Sequence, residues 1–220
     1  SYTAIAKEIE TLEEVPGLKS IICASLHSKT IGSTIKLTCK THKAKLAYGP
    51  IHAMVGYAYD GLSPWVSMAL RESISDATWI LRDSEDFKNR LMPLNPQGGT
   101  MYRIDIKDFF LAGKPQELME LATKRIKPVA KRHLVQRALQ FLLINQYVDT
   151  PDNTVYSVTR GSGMGLRHSG ETADAALANT MEFGTIDAPG LLRAYGIDNY
   201  CRFKDDIFFL ASSRHRVRRF

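Results

Sequence analysis

Residues 200–210, Tyr-Cys-Arg-Phe-Lys-Asp-Asp-Ile-Phe-Phe-Leu, constrain the fold more than any other stretch of the chain. Apolar and aromatic residues run up to Lys204-Asp205-Asp206 and resume directly after it, the pattern of two strands meeting at a tight turn. Adjacent carboxylates repel each other, and burying them among such strands is costly unless they are paired or bind a cation. Another carboxylate, Asp105, interrupts an otherwise apolar strand pattern at Met101-Tyr102-Arg103-Ile104-Asp105-Ile106. Magnesium is a hard ion that takes carboxylate oxygens together with substrate phosphates. Two such ions roughly 3.5–4 Å apart can activate an attacking hydroxyl and stabilise a leaving oxygen. An exposed hairpin turn is the simpler home for an aspartate pair, since Asp is favoured in turns. Taken alone, the pair reads as such a turn, and only the rest of the chain brings the metal-binding reading forward.

The rest of the chain reads as a mixture of helices and strands. Residues 1–14 have the pattern of an amphipathic helix closed by Val15-Pro16-Gly17. Residues 33–51 alternate Lys with β-branched and apolar residues, as strands do, and Gly49-Pro50 marks a turn. From Leu62 to about Leu81 the apolar positions return at helical spacing, with Pro64 near the start. Pro93 to Gly99 is a predicted loop. Residues 116–126 and 129–145 are predicted helices divided at Pro128, and 146–159 a hairpin around Pro151-Asp152-Asn153. Gly161-Ser162-Gly163-Met164-Gly165 forms a glycine-rich turn that opens a helix from about Ser169 to Phe183.

Composition narrows the partners. The 220 residues suit one large domain, or one with an inserted subdomain. With 44% hydrophobic and 24% charged residues, disorder does not dominate. A formal net charge of +6 favours a polyanionic partner, because Lys and Arg drive binding by neutralising phosphates. Cys23, Cys39 and Cys201 make an odd, unpaired set that argues against a disulfide framework and for a reducing compartment. Cys39 and His42 have no second ligand pair at zinc-site spacing. No run of about 18 apolar residues suggests a membrane span. The chain opens on Ser1 and stops just after a basic stretch at 214–219, as a segment of a longer polypeptide would.

Three segments together resemble the reverse-transcriptase family. Phe203-Lys204-Asp205-Asp206 is similar to its Tyr-x-Asp-Asp box. Asp105-Ile106-Lys107-Asp108-Phe109-Phe110 is similar to its first catalytic box, an Asp followed by an aromatic five residues on. Gly161 to Gly165, with Ser169, Ala178-Asn179 and Met181-Glu182 beyond, resembles the glycine-turn-helix box between them. A fourth segment, Lys40-Thr41-His42-Lys43 with Pro50-Ile51, resembles Penelope-like retroelements of the telomerase-related group. The resemblance covers roughly residues 35–213. Departures are Gly49 where relatives carry Arg, Val158 for Gln, Arg167 for Pro, Phe203 for Tyr, and Lys204 for a smaller residue.

The resemblance implies an α+β fold: a right-hand polymerase palm, with an antiparallel sheet and helices packed behind it, plus fingers. Residues 1–30 would be an N-terminal extension, and 31–220 interleaved fingers and palm ending before the thumb, with Asp105 on a central strand. It implies RNA-directed DNA synthesis, with attack of a primer 3′-hydroxyl on the α-phosphate of a deoxynucleoside triphosphate. Asp105, Asp205 and Asp206 would hold two Mg2+ ions, with Mn2+ as a possible substitute and the Ile106 carbonyl as a further ligand. Phe110 would exclude a 2′-hydroxyl, and Lys40, Lys43 and Gly163 would contact the nucleotide; for the two lysines a solvated basic strand face is an equal alternative. Gly161, Gly165, Ser169 and Phe203 would face template and primer; for Ser169, positioning of its helix is an equal alternative. The expected partners are an RNA template, a DNA primer, dNTPs and further parts of a longer polyprotein, including a thumb, with no membrane. Two other outcomes stay open: a degenerate domain that binds nucleic acid without synthesis, and an RNA-synthesising relative.

Overall fold

The computed structural model describes residues 1–28, 30–41, 45–91, 99–152, 154–188, 190–212 and 215. In chain order its elements are α1 (Tyr2–Glu13), α2 (Leu18–Cys23), β1 (Ser33–Cys39), β2 (Tyr48–Ala53), α3 (Ser63–Ser73), α4 (Ser84–Leu91), β3 (Thr100–Asp105) and α5 (Pro115–Ala122). There follow α6 (Val129–Ile144), β4 (Tyr147–Asp149), β5 (Val155–Ser157), α7 (Ser169–Leu177), a π-helical turn (Ala178–Glu182), α8 (Leu191–Ala194), β6 (Ile197–Phe203) and β7 (Asp206–Ala211). The architecture is α+β. The chain divides into two compact units, Ser1–Ser73 with Phe110–Ala176, and Ile74–Phe109 with Leu177–Phe220.

In the first unit, α6 forms the centre of the core. Its buried residues Leu134, Val135, Ala138, Leu139, Leu142 and Leu143 recur as pairs every four positions, so one stripe turns inward. Each leucine sealed there contributes roughly 1.5–3 kcal/mol. Helices α1, α3 and α5 pack on it. α1 buries Tyr2, Ile5, Ala6 and Ile9 along one face and ends at Glu14, which takes the left-handed conformation (φ 54°). A four-stranded sheet has the order β2-β1-β4-β5, with β1 antiparallel to β2 and parallel to β4. Gly49-Pro50, expected as a turn, instead lies inside β2, opposite Thr38 and Leu37. β2 is an edge strand, where a proline that cannot donate a ladder bond is tolerated.

In the second unit, a three-stranded antiparallel sheet has the order β3-β7-β6. The helix expected to reach Leu81 stops at Ser73. Beyond it the chain turns, with the Ala77 amide donating to the Ile74 carbonyl and the Ile80 amide to the Ala77 carbonyl, and Ala77, Trp79 and Leu81 are buried. Ile80 forms a parallel bridge with Arg202. Asp105, expected on a central strand, is on β3 at the sheet's edge, and β7 is the central strand. Register sets Arg103, Asp105, Asp206, Phe208, Cys201 and Phe203 on one face, and Tyr102, Phe209, Tyr200 and Arg202 on the other. Phe87 of α4 meets Phe208, and Tyr102 stacks on Phe209 with ring centroids 5.3 Å apart. Among the described residues, no helix is long and apolar enough to cross a membrane.

Candidate active site

The β6–β7 hairpin and the end of β3 bring the three aspartates together through their backbones. Asp105 stands directly across from Asp206 in the β3–β7 register. The Ile106 amide donates to the Asp205 carbonyl at 2.8 Å, which ties the turn to the end of β3. Lys204 takes a left-handed conformation (φ 53°), so the chain reverses within Lys204-Asp205. Asp105 is exposed, whereas Asp205 and Asp206 are half-buried. The burial penalty expected for Asp105 from its apolar flanks therefore does not arise, because β3 is exposed along most of its length.

Arg103 adds a group that sequence reasoning missed. Two residues before Asp105 and on the same face, its Nε donates to Asp206 Oδ1 at 2.9 Å and its Nη2 to Oδ2 at 3.0 Å. The Arg103 side chain is 64% exposed. Water screening limits such a pair to about 1 kcal/mol or less. Among the described residues, no three His, Cys, Asp or Glu side chains are gathered as they would be around a metal ion. The donors themselves, the Asp105, Asp205 and Asp206 carboxylates, are the hard oxygen ligands that a divalent cation takes. Their chemistry fits such an ion, while their side chains are not gathered around one and Arg103 holds both oxygens of Asp206.

Behind the turn lies a buried polar network on the opposite face. The π-helical turn carries Glu182 to Tyr200 and Arg202: the Tyr200 hydroxyl donates to Glu182 Oε1 at 2.8 Å, and Arg202 donates to both carboxylate oxygens at 2.7 and 2.9 Å. Beside Glu182 the Tyr200 phenol is pushed far above its ordinary range, by burial first and then by the neighbouring negative charge. The sequence signal was a lone arginine in an apolar strand, Tyr200-Cys201-Arg202-Phe203.

Of the remaining predicted residues, Lys40, Phe110, Gly161, Gly163, Gly165 and Ser169 lie in the first unit. Phe110 is half-buried, and its carbonyl accepts from the Ser162 amide at 2.9 Å. The glycine turn is explained by close packing within this unit. A Cβ at Gly161 would come 2.6 Å from Leu111 Cα, one at Gly163 would come 2.8 Å from Gln146 Oε1, and one at Gly165 would come 2.5 Å from the His52 carbonyl. All three also have positive φ, at 77°, 69° and 101°. Ser169 is buried and its hydroxyl donates to the Ser162 and Gly163 carbonyls, so it fastens the turn to the start of α7. Beneath the turn, His52 pairs with Ser33 at 2.7 Å and His168 with Ser63 at 3.1 Å. Burial lowers the pKa of His52, and burial followed by the nearby His52 pushes His168 down to about 4. Lys40 is exposed at the end of β1, and its stem lies over Gly49, where an added Cβ would meet Lys40 Cε at 3.1 Å. Lys43 lies outside the described residues. Phe203, in the second unit, is 42% exposed opposite Asp206.

No protein-family model matches the chain, and no curated protein matches its sequence. Solved structures do match its fold. Apo telomerase from Candida tropicalis superposes with a TM-score of 0.56 at 9% identity, covering 88% of this chain and 41% of that one. The RNA-dependent RNA polymerase of a human picobirnavirus superposes at 0.54 and 12% identity, covering 86% and 37%. Telomerase from Candida albicans, solved with a fragment of telomeric RNA, superposes at 0.52 and 10% identity, covering 86% and 39%. The chain thus spans about two fifths of the length of these proteins. An acidic turn on an antiparallel sheet, seated in a chain that superposes on both kinds of enzyme, gives this protein the polymerase palm fold.

Proposed function

We propose that the chain is the fingers and palm portion of a nucleotidyltransferase, an RNA-directed DNA polymerase of a Penelope-like retroelement. The observation that carries this reading is the β3–β7 register, which sets Asp105 against Asp206 with Asp205 tied to Ile106. In the proposed reaction the primer 3′-oxygen bonds to the α-phosphorus of a dNTP. The bond to the β-phosphate oxygen breaks, and pyrophosphate leaves.

Asp105, Asp205 and Asp206, with the Ile106 carbonyl, would hold two magnesium ions, or manganese in their place. These ions would make the primer hydroxyl more acidic and neutralise charge on the phosphates. The protein's own part is placement and charge. The two strands fix the carboxylates, and Arg103 keeps Asp206 neutralised until a cation takes over. Phe110 is assigned the sugar, where a bulky ring excludes a 2′-hydroxyl. Lys40 and Lys43 are assigned the triphosphate, as point charges suited to phosphate. Gly161, Gly163, Gly165 and Phe203 are assigned the template–primer and the new base pair. Ser169 is assigned to fastening the glycine turn.

Extension of a labelled DNA primer on an RNA template, with dNTPs and Mg2+, tests the reading. Stepwise addition of dNTPs is expected, and Phe110→Ala should admit ribonucleotides. Ribonucleotide incorporation by the unaltered chain would point instead to an RNA-synthesising relative. A second reading, a palm-fold domain that binds nucleic acid without synthesis, is favoured by one feature: Arg103 engages both oxygens of Asp206. Tight primer–template binding with no extension at any Mg2+ concentration would establish it.

A further inference from the structure

We propose that Arg202 is a positioning residue for the acidic turn: held from behind by Glu182 and Tyr200, its guanidinium fixes the Lys204 carbonyl and thereby where Asp205 and Asp206 stand. The inference rests on reading that turn as the metal-binding end of a nucleotidyl-transfer site.

Arg202 is the largest fully buried side chain among the described residues. Its exposure is 0% and that of Glu182 is 3%. The guanidinium is oriented by a two-point grip on Glu182, with Nε to Oε1 at 2.7 Å and Nη2 to Oε2 at 2.9 Å. The Tyr200 hydroxyl shares Oε1. The Phe109 ring lies 5.8 Å from the guanidinium carbon. The backbone of the same residue is pinned as well, since its amide donates to the Trp79 carbonyl at 3.0 Å and its carbonyl accepts from Leu81 at 2.7 Å. From this fixed base Nη1 reaches forward to the Lys204 carbonyl at 3.0 Å.

The consequence falls on the turn. Lys204 is in the left-handed region, at φ 53°, which a lysine adopts only under constraint. Two successive carbonyls are held: that of Lys204 by Arg202 from behind, and that of Asp205 by the Ile106 amide from the strand carrying Asp105. Asp205 thus lies between two fixed points. A buried ion pair gives little net stability over well-packed apolar residues of the same size. What it supplies here is direction, since a planar fork gripped at one edge can aim its other nitrogen. The π-helical turn, a local irregularity that places Glu182 under the sheet, serves the same end.

Arg202→Lys keeps the charge and loses the fork, and two measurements read it. Hydrogen exchange at the Ile106 amide should quicken by about tenfold or more while the core of β3 stays protected. In primer extension kcat should fall by about a hundredfold, the cost of misplacing reacting groups by an ångström, with the KM for dNTP nearly unchanged. Lys204→Asn in the Arg202→Lys background should restore part of both, because asparagine accepts the left-handed conformation more readily. A side chain that only fills the core would give no such rescue. If Arg202→Lys does not fold, Glu182→Gln, which weakens the grip at constant size, carries the same measurements with the same expected directions. Unchanged Ile106 exchange and kcat, or a loss that Lys204→Asn leaves untouched, would overturn the proposal. If the unaltered chain extends no primer, the functional reading fails, and the exchange measurement still decides the positioning role.

Discussion

Arg202 and Arg103 each grip a carboxylate with two nitrogens, on opposite faces of the same three-stranded sheet. Arg202–Glu182 is sealed, at 0% and 3% exposure, whereas Arg103–Asp206 stands at 64% and 26%. The geometry is alike and the surroundings are not. In the sealed pair water is shut out, so each charge depends on the other and on the buried groups beside them, the Tyr200 hydroxyl and the Lys204 carbonyl. In the open pair water can replace either partner, so the contact is weak and exchangeable. The lesson is a contrast within one hairpin: a sealed ion pair whose guanidinium also holds the Lys204 carbonyl of the turn, and an exposed one in which water can take either partner's place.

Breaking the sealed fork gives the largest expected effect. Arg202→Met strands Glu182 and should destabilise the fold by about 3–5 kcal/mol, read by urea unfolding. Adding Glu182→Leu should recover most of that loss, because the uncompensated charge is then gone.

A buried polar pair in the first unit sharpens the contrast, since it avoids the problem by remaining neutral. His168 is fully buried against Ser63, with its pKa pushed down from 6.5 to about 4. The unfolded chain therefore takes a proton at a higher pH than the folded one. The stability linked to this group is fully present above pH 6.5 and is lost as pH falls toward 4. The loss over that interval should be roughly 3 kcal/mol. His52, also lowered by burial, acts in the same sense. Urea unfolding at pH 7 and pH 4 measures the loss, and His168→Gln should flatten the profile.

Opening the exposed fork should have the smallest effect on stability. Arg103→Ala is expected to change it by less than about 1 kcal/mol. The same variant should bind divalent cations more tightly, because Asp206 no longer has to be released. A stability loss as large as that of Arg202→Met would erase the distinction between the two pairs.

What could be read from the sequence follows the same line. The β6–β7 hairpin was legible because apolar runs on both sides of Lys204-Asp205-Asp206 leave little choice but two strands and a turn. The glycine turn was legible as a turn, but not the reason for each glycine, which lies in Leu111, Gln146 and His52, distant in sequence. The helix expected to reach Leu81 stops at Ser73, because the chain turns between Ile74 and Ile80 and then pairs Ile80 with Arg202, a partner distant in sequence. Arg103 shares a face with Asp105 by simple alternation, yet its partner Asp206 appears only once the register is known. Arg202 is a charge within an apolar strand, but the sequence alone assigns it no role. Its partner Glu182 reaches it through a π-helical turn, for which sequence periodicity gives no sign.

The most direct test of the acidic centre is a count of bound metal. Electron paramagnetic resonance titration with Mn2+, in the presence of primer–template and dNTP, should find two ions per chain. Asp105→Asn should abolish this binding while leaving the fold intact, and Arg103→Ala should strengthen it. Mn2+ binding unchanged by Asp105→Asn, or no bound ion at all, would contradict the assignment of Asp105, Asp205 and Asp206 as the metal ligands.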